Sequence, residues 1–517
     1  MAKFLRIRVF LTARWHWNLQ PERSGMAWWA GTRRWIAVAA GTLMAACLRE
    51  STSSLPPLPP GTRVGHYAAP PPFGTSTGDG TSDAPWDLAT ALGGGHGNHI
   101  QPGDTVWLRR GTYAGSFQTT LEGTTSAPII FRQYPGERAT IDGSLASHGS
   151  NLWFWGFEIM QSNNLRSTER VLGANTENGR FINLVLHDAG ISGVSMIKDG
   201  GAGAELYGSI IYNNGHNDNI DHGIYAHNAT TGTKYITDNV FFNNCARGIQ
   251  IYDDGPLIQS IQVVGNVSFD NGTLTCLSNR TNLLVSAPAT TLGMVVKDNL
   301  LYFAPGLDGT QVLLGNYDTL FNQNIDVENN FAVGGTLALQ MDVPWVTATV
   351  QHNVWIGNGS TAMVHMGGTA LGGYTWTGNV YSRAASALAW EHNGTVFDFS
   401  GWKAATGLGA DDSVAPSALT SSWVFLRPNK YEPGRAFIIV YNLANDASVT
   451  VDISTVVAAG VPYEVRNVQD LFNQNPLVGG TYGGGAIPSR CPESPLPDRL
   501  AGARTPQRPA RCSMSSC

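Results

Sequence analysis

The stretches "DNVFFNN" (238–244) and "GIQIYD" (248–253) stand four residues apart, and between them they decide the fold. Each is too short for a helix and too apolar for a loop. Each carries β-branched and aromatic residues, which favour strands. The first is framed by Asp and Asn, which tolerate left-handed corners. Both recur. Upstream and downstream of Asn239 lie "INLVLHDA", "GSIIYNN", "GNVSFDN", "DNLLYFA", "NNFAVGG", "HNVWIGN" and "GNVYSRA". Their key positions are Asn183, Ser209, Asn239, Asn266, Asn299, Asn330, Asn353 and Asn379, separated by 23 to 33 residues. Irregular gaps of this size suit a solenoid whose strands keep register while its loops vary.

A second strand follows in each repeat: "GVSMIK", "GIYAHN", "GIQIYD", "NLLVS", "QVLLG", "LALQMD", "AMVHM" and "ALAWEH". Short strands without a helical period between them predict a right-handed parallel β-helix, with coils about 4.8 Å apart. Buried Asn at the corners would form ladders that satisfy the turn backbone, so the Asn column is read as structural.

The composition agrees. In 517 residues there are 60 Gly and only 14% charged residues, against 42% hydrophobic ones. Tight corners and many short strands use such a chain better than long helices do. The formal charge of −6 leaves no basic footprint, which argues against nucleic acid as a partner.

Residues 1–47 read as a leader. "RRWIAVAAGTLMAAC" (33–47) has the charged start, short apolar run and small residues of a secretion signal, with translation beginning at Met26 and 1–25 outside the protein. "LMAAC" resembles a bacterial lipobox, which would place a lipid anchor on Cys47; plain cleavage is the alternative. The protein is thus expected to be exported, either secreted or lipid-anchored at the bacterial cell envelope. Residues 48–73 are Pro- and Ser-rich and read as a tether. Residues 396–421 read as a linker that packs against the last coils, 422–487 as a small antiparallel β-sandwich with hairpin spacing, and 488–517 as a disordered or aberrant tail. Cys245 and Cys276 could join in a disulfide or remain core thiols.

The entry to the repeats, "GTSTGDGTSDAPWDLATAL" with "PGDTVWLRRGTY" and "NLWFWGFEI", resembles the pectate-lyase-like β-helix superfamily of secreted polysaccharide-active proteins. The resemblance spans 74–395. It implies a short helix at "PWDLATAL" covering the open end, and a carbohydrate polymer as partner. "FLRPNKYEPGRAFIIVYN" (425–442) is similar to the module that often follows such solenoids, whose work is capping or sugar contact.

Strand alternation sorts the second strands. Val194, Ile224 and Ile249 point inward, as do Met196, Ala226 and Ile251. Ser195, Tyr225 and Gln250 point outward, with His227 and Tyr252. Gln340, His365 and Trp390 are placed in the same outer column. His222 and Arg247 both precede the aligned Gly and should stack. The candidate catalytic residues are therefore His222, Tyr225, His227, Arg247, Lys198 and Tyr252. Gln250, Asp253, Asp254, Gln340, His365 and Trp390 would bind substrate. Asp218 and Asp221 could hold Ca²⁺, though no cofactor is required.

This set suits β-elimination on a uronate polymer. Arg247 or Lys198 would clamp the carboxylate, His222 or His227 would be the base, and Tyr225 or Tyr252 the proton donor. C5 epimerisation shares the first step. A glycoside hydrolase using an Asp pair is the rival, and a non-catalytic sugar-binding solenoid the third reading. A monomer is expected. "GGGHGNH" (93–99) reads as a Gly-rich surface turn and "GAGAEL" (201–206) as a coil-joining loop.

Overall fold

In the computed structural model the described residues are 7–13 and 65–490, apart from 163–169, 198–199, 217–219, 256, 273–279, 289, 316–321, 358–361, 416–420 and 474. The signal, Cys47, most of the tether and the tail from 491 therefore lie outside them. The body is an all-β parallel solenoid. One 12-stranded sheet is parallel throughout, from Gly65–Ala68 to Tyr374–Thr377. The other faces of the coils join in a 22-stranded sheet. The interior is a column of apolar side chains such as Leu186, Ile211, Phe241 and Leu301, all fully buried. Phe131, Phe154 and Phe181 stack in it at 5.5 Å per step.

The Asn column forms as a ladder. Asn239 Oδ1 accepts the Ser209 amide at 2.9 Å, Asn266 serves Asn239 at 3.0 Å, and Asn299 serves Asn266 at 2.9 Å. The series runs on through Asn330, Asn353 and Asn379 and ends at Asp412, which accepts the Asn379 amide at 2.8 Å. Asn183 does not belong to it. The register Val185↔Ile210↔Val240 puts Leu184 in the column, with its amide donating to Ser209 Oγ at 3.1 Å.

Both ends of the solenoid extend past their expected bounds. Gly65–Ala68 pairs with Thr105–Leu108, so the first rung lies inside the segment read as tether. Helix α1 (Leu88–Leu92), capped by the Asp87 carboxylate on the Thr90 amide at 2.7 Å, covers this end as expected and buries Leu88, Ala91 and Leu92. At the other end, residues read as linker form helix α2 (Phe399–Thr406). It sets Phe399 and Trp402 into the core, and Ser413–Val414 then pairs with Val380–Tyr381.

The C-terminal module has two antiparallel sheets. The strand "AFIIVY" (Ala436–Tyr441) is buried along its whole length. Ile438 and Val440 face the module's own core with Val449, Val451 and Ile487. Phe437, Ile439 and Tyr441 face the solenoid and meet Tyr212, Phe242, Phe269 and Tyr302. The module therefore covers one side of the solenoid and leaves the side formed by the second strands open. Residues Ile7–Ala13, which the sequence reading left outside the protein, form a strand between Ala436–Tyr441 and Pro462–Asn467.

Candidate active site

The open side carries the candidate residues. Val194–Met196, His222–Ala226, Arg247–Ile251 and Thr281–Val285 lie parallel in consecutive coils. Val194, Ile224, Ile249 and Leu283 align and are buried in the core. One residue on, Ser195, Tyr225, Gln250 and Leu284 align and turn outward. These four floor a groove of about 620 Å³, walled by Arg170, Asp221, Arg247, Tyr252 and Asp254 among others. His222 pairs with Arg247 across the coils, as the shared Gly predicts.

The groove's electrostatics follow from its depth. Tyr225 is half-buried and faces Asp253 and Asp254. Burial first, then these carboxylates, push its phenol up to about 12, so it stays protonated. Arg247 Nη1 donates to Gln250 Oε1 at 2.7 Å, which fixes the guanidinium against the floor. Tyr252 donates to Asp254 Oδ1 at 2.5 Å, and Asp254 is exposed. His227 Nδ1 lies 3.4 Å from Asp253 at the flank of the groove, its ring edge-on to Tyr225. Beneath it the fully buried Lys234 Nζ donates to the His227 carbonyl at 2.9 Å and the Met196 carbonyl at 3.3 Å.

Several sequence expectations need correction. His222 is fully buried, and its ring packs against Tyr225 at 6.1 Å rather than opening to the groove. Burial and the Arg247 charge hold it well below the ordinary imidazole value, so it is a neutral support under the floor and does not reach a polymer. Trp390 is not in the outer column. Val364 aligns with Trp390 and His365 with Glu391, so Trp390 is a core residue and Glu391 takes the outward place. Gln340 and His365 do share the outer column, several coils beyond the groove. There His365 bridges Asp342 at 3.1 Å and Glu391 at 3.0 Å. Lys198 and Asp218 lie outside the described residues. Cys245 is disulfide-bonded, and Cys276 lies outside the described residues.

Arg170 was missed. It stands two residues before Leu172, the offset that places His222 before Ile224 and Arg247 before Ile249, and Leu172 aligns with Val194. "RVLGA" (170–174) is thus one more second strand, and the repeat offset could have found it. Arg170 is half-buried in the groove wall, and burial draws its pKa down from the ordinary guanidinium value.

A calcium ion needs several oxygen ligands. Among the described residues no group of three or more His, Cys, Asp or Glu converges on one point. Asp221 is buried, and its Oδ2 accepts the His216 amide at 2.8 Å. The described residues do not build a calcium site. No described helix is long and apolar enough to cross a membrane.

No family model matches the chain. A pectate lyase of Emericella nidulans, PEL9, is 40% identical over 81 residues, which is 14% of this chain and 17% of that protein. The chain thus matches about a sixth of that relative's length. Among solved structures, pectate lyase Pel9A superposes with a TM-score of 0.47 at 16% identity, over 62% of this chain and 80% of that one. A rhamnogalacturonan lyase gives 0.38 at 16% identity, over 57% and 83%. The fold, read from the chain's own strand pairing, is a parallel β-helix. Xylose-bound XylC is also similar, with a TM-score of 0.44 at 11% identity, over 70% of this chain and 88% of that one.

Proposed function

We propose that the protein is a polysaccharide lyase that cleaves a uronic-acid-containing polymer by β-elimination in this groove. One observation carries the reading. Two guanidinium groups, Arg170 and Arg247, line the groove together with Tyr225, whose phenol stays protonated to about 12. β-Elimination removes the proton α to a carboxylate, and the developing charge must be met by fixed cations. Arg170 and Arg247 take the carboxylate. The leaving oxygen needs a proton, which Tyr225 supplies. Asp254 is the exposed carboxylate of the groove, oriented by Tyr252, and takes the role of base for which the sequence offers His222 or His227. Gln250 and Tyr252 hold the sugar ring. A polymer substrate fits an exported protein acting as a monomer; release or lipid anchoring at Cys47 would leave the mature protein without the Ile7–Ala13 strand.

The test is turnover of pectate, alginate and glycosaminoglycans by the full chain, with and without added calcium. Ultraviolet absorbance of unsaturated product and new reducing ends are followed together. The expected result is rising absorbance that is lost in Arg247→Ala. Reducing ends without absorbance would make the protein a hydrolase. Solvent deuterium entering the sugar without cleavage would make it an epimerase. Retention of polymer with neither signal would make it a binding module.

A further inference from the structure

At the seam between the solenoid and the C-terminal module lies a second, small cavity of about 40 Å³. Its walls include Arg132, Arg138 and Asn183 from the solenoid and Glu432, Arg435 and Arg466 from the module. Three of these residues carry buried donors without an acceptor: Arg132 Nη1, Arg435 Nε and Asn183 Nδ2. Arg132 is 1% exposed and Asn183 2%. The Asn183 carbonyl is already used, accepting from Asn429 Nδ2 at 2.8 Å.

The charges around the cavity do not cancel. Arg138 is held by Glu158 at 2.8 Å and 2.9 Å, and Arg466 by Glu464 at 2.7 Å and 3.0 Å. Glu158 is also taken by His187 at 2.8 Å. Arg132 and Arg435 share a single carboxylate, Glu432, at 3.4 Å and 3.2 Å, and Trp155 Nε1 claims it too at 2.7 Å. One guanidinium charge is left over in a buried place, where an unbalanced charge is costly. The stacking of Arg132 on the Trp155 ring at 3.8 Å leaves its N–H edge still to be met.

We propose that this cavity binds one monovalent anion of halide size, held by Arg132, Arg435 and Asn183 across the seam. The ligand class follows from three features. The unmet groups are all donors. The surplus charge is positive. The space, about 40 Å³, favours a compact anion over a sugar carboxylate. A water could accept two of these bonds but would bring two hydrogens to a wall whose carboxylates are already engaged. The anion pins the module to the solenoid. It stands apart from the polymer groove and does not depend on the reaction proposed there.

The test uses bromide as the probe on the full chain. Bromide-soaked crystals should give an anomalous peak within hydrogen-bond reach of Arg132 Nη1 and Arg435 Nε. In solution, the melting midpoint in about 0.1 M potassium bromide should exceed that in potassium gluconate of equal ionic strength by about 1–2 °C. Asn183→Asp brings a carboxylate of the chain's own into the cavity and should erase this difference without lowering the midpoint. Should that variant fail to fold, Arg435→Gln removes the surplus charge and should erase the difference as well. No peak in the cavity, equal midpoints in the two salts, or a full halide shift surviving in the variant that folds would each overturn the proposal. A peak with no halide shift would mean an adventitious ion only and would overturn it too.

Discussion

Tyr225 and Arg247 sit one coil apart, and each is shaped by what lies behind it. Arg247 is aimed by Gln250, and Tyr225 is backed by the neutral ring of His222. Tyr225→Phe keeps the ring and removes the hydroxyl that carries the proton. Turnover should fall about 100-fold, as expected for loss of a general acid, with the melting midpoint and KM nearly unchanged; steady-state kinetics decide it. Trp390→Ala should do the opposite. It empties a fully buried indole site and should cost about 3–5 kcal/mol of stability, with little change in polymer affinity at temperatures where the variant is folded. Chemical denaturation and polymer binding separate the two effects. The two residues mark what was legible at this scale. Alternation identified Tyr225, Gln250 and Arg247 as neighbours. It failed at Trp390, which aligns with the inward Val364, because a slip of one residue moves a side chain to the other face.

At the scale of the strand and its corner, the Asn ladder is the element that the repeat made most visible. Asn299 is typical. Its Oδ1 accepts from the Asn266 amide at 2.9 Å and from Asn266 Nδ2 at 3.1 Å. Its Nδ2 donates to the Val263 carbonyl and to Asn330 Oδ1, both at 2.9 Å. Every hydrogen-bonding position of the amide is used in a dry place. Asn299→Leu would strand partners on both neighbouring coils, and stability should fall by about 3 kcal/mol. Denaturant titration reads this, and Ser209 shows that a hydroxyl is tolerated only near the end of the column. The ladder also explains the misplacement of Asn183. Asn is frequent at these corners for its backbone tolerance alone, so one more Asn beside the column looked like a member. Only strand pairing tells Leu184 from Asn183.

Across the whole molecule, the module and the solenoid share an apolar seam with charged groups at its edge. His187 stacks on Tyr212 at 4.7 Å and is held between Glu158 at 2.8 Å and Asp188 at 2.7 Å. Burial alone would lower its pKa, but the bonds to Asp188 and Glu158 outweigh it and raise it from the ordinary 6.5 to about 9. The folded state therefore binds this proton more tightly than the unfolded chain. The stabilisation is complete below about pH 6.5 and is lost as pH rises through about 9. Melting midpoints should decline across that window, and His187→Gln should flatten the decline. Removal of residues from 422 onward should be more severe. It would bare the stacked ladder of Tyr212, Phe242 and Phe269, spaced 5.0 Å and 5.1 Å, and the truncated chain should bind hydrophobic dyes and aggregate.

The sequence by itself determined the solenoid, the inward and outward faces of its second strands, and the stacking of His222 on Arg247. These depend on period and alternation, which are local and repeat in every coil. What only the tertiary structure decided was depth and partnership. His222 lies beneath the groove, Arg170 completes its wall from a coil whose strand was overlooked, and the segment expected to pack against the last coils supplies a helix, Phe399–Thr406, and a further strand, Ser413–Val414. Exposure and charge balance depend on which coils and loops come to lie above a residue. Loops of unequal length set that arrangement, and no periodic signal in the chain encodes it.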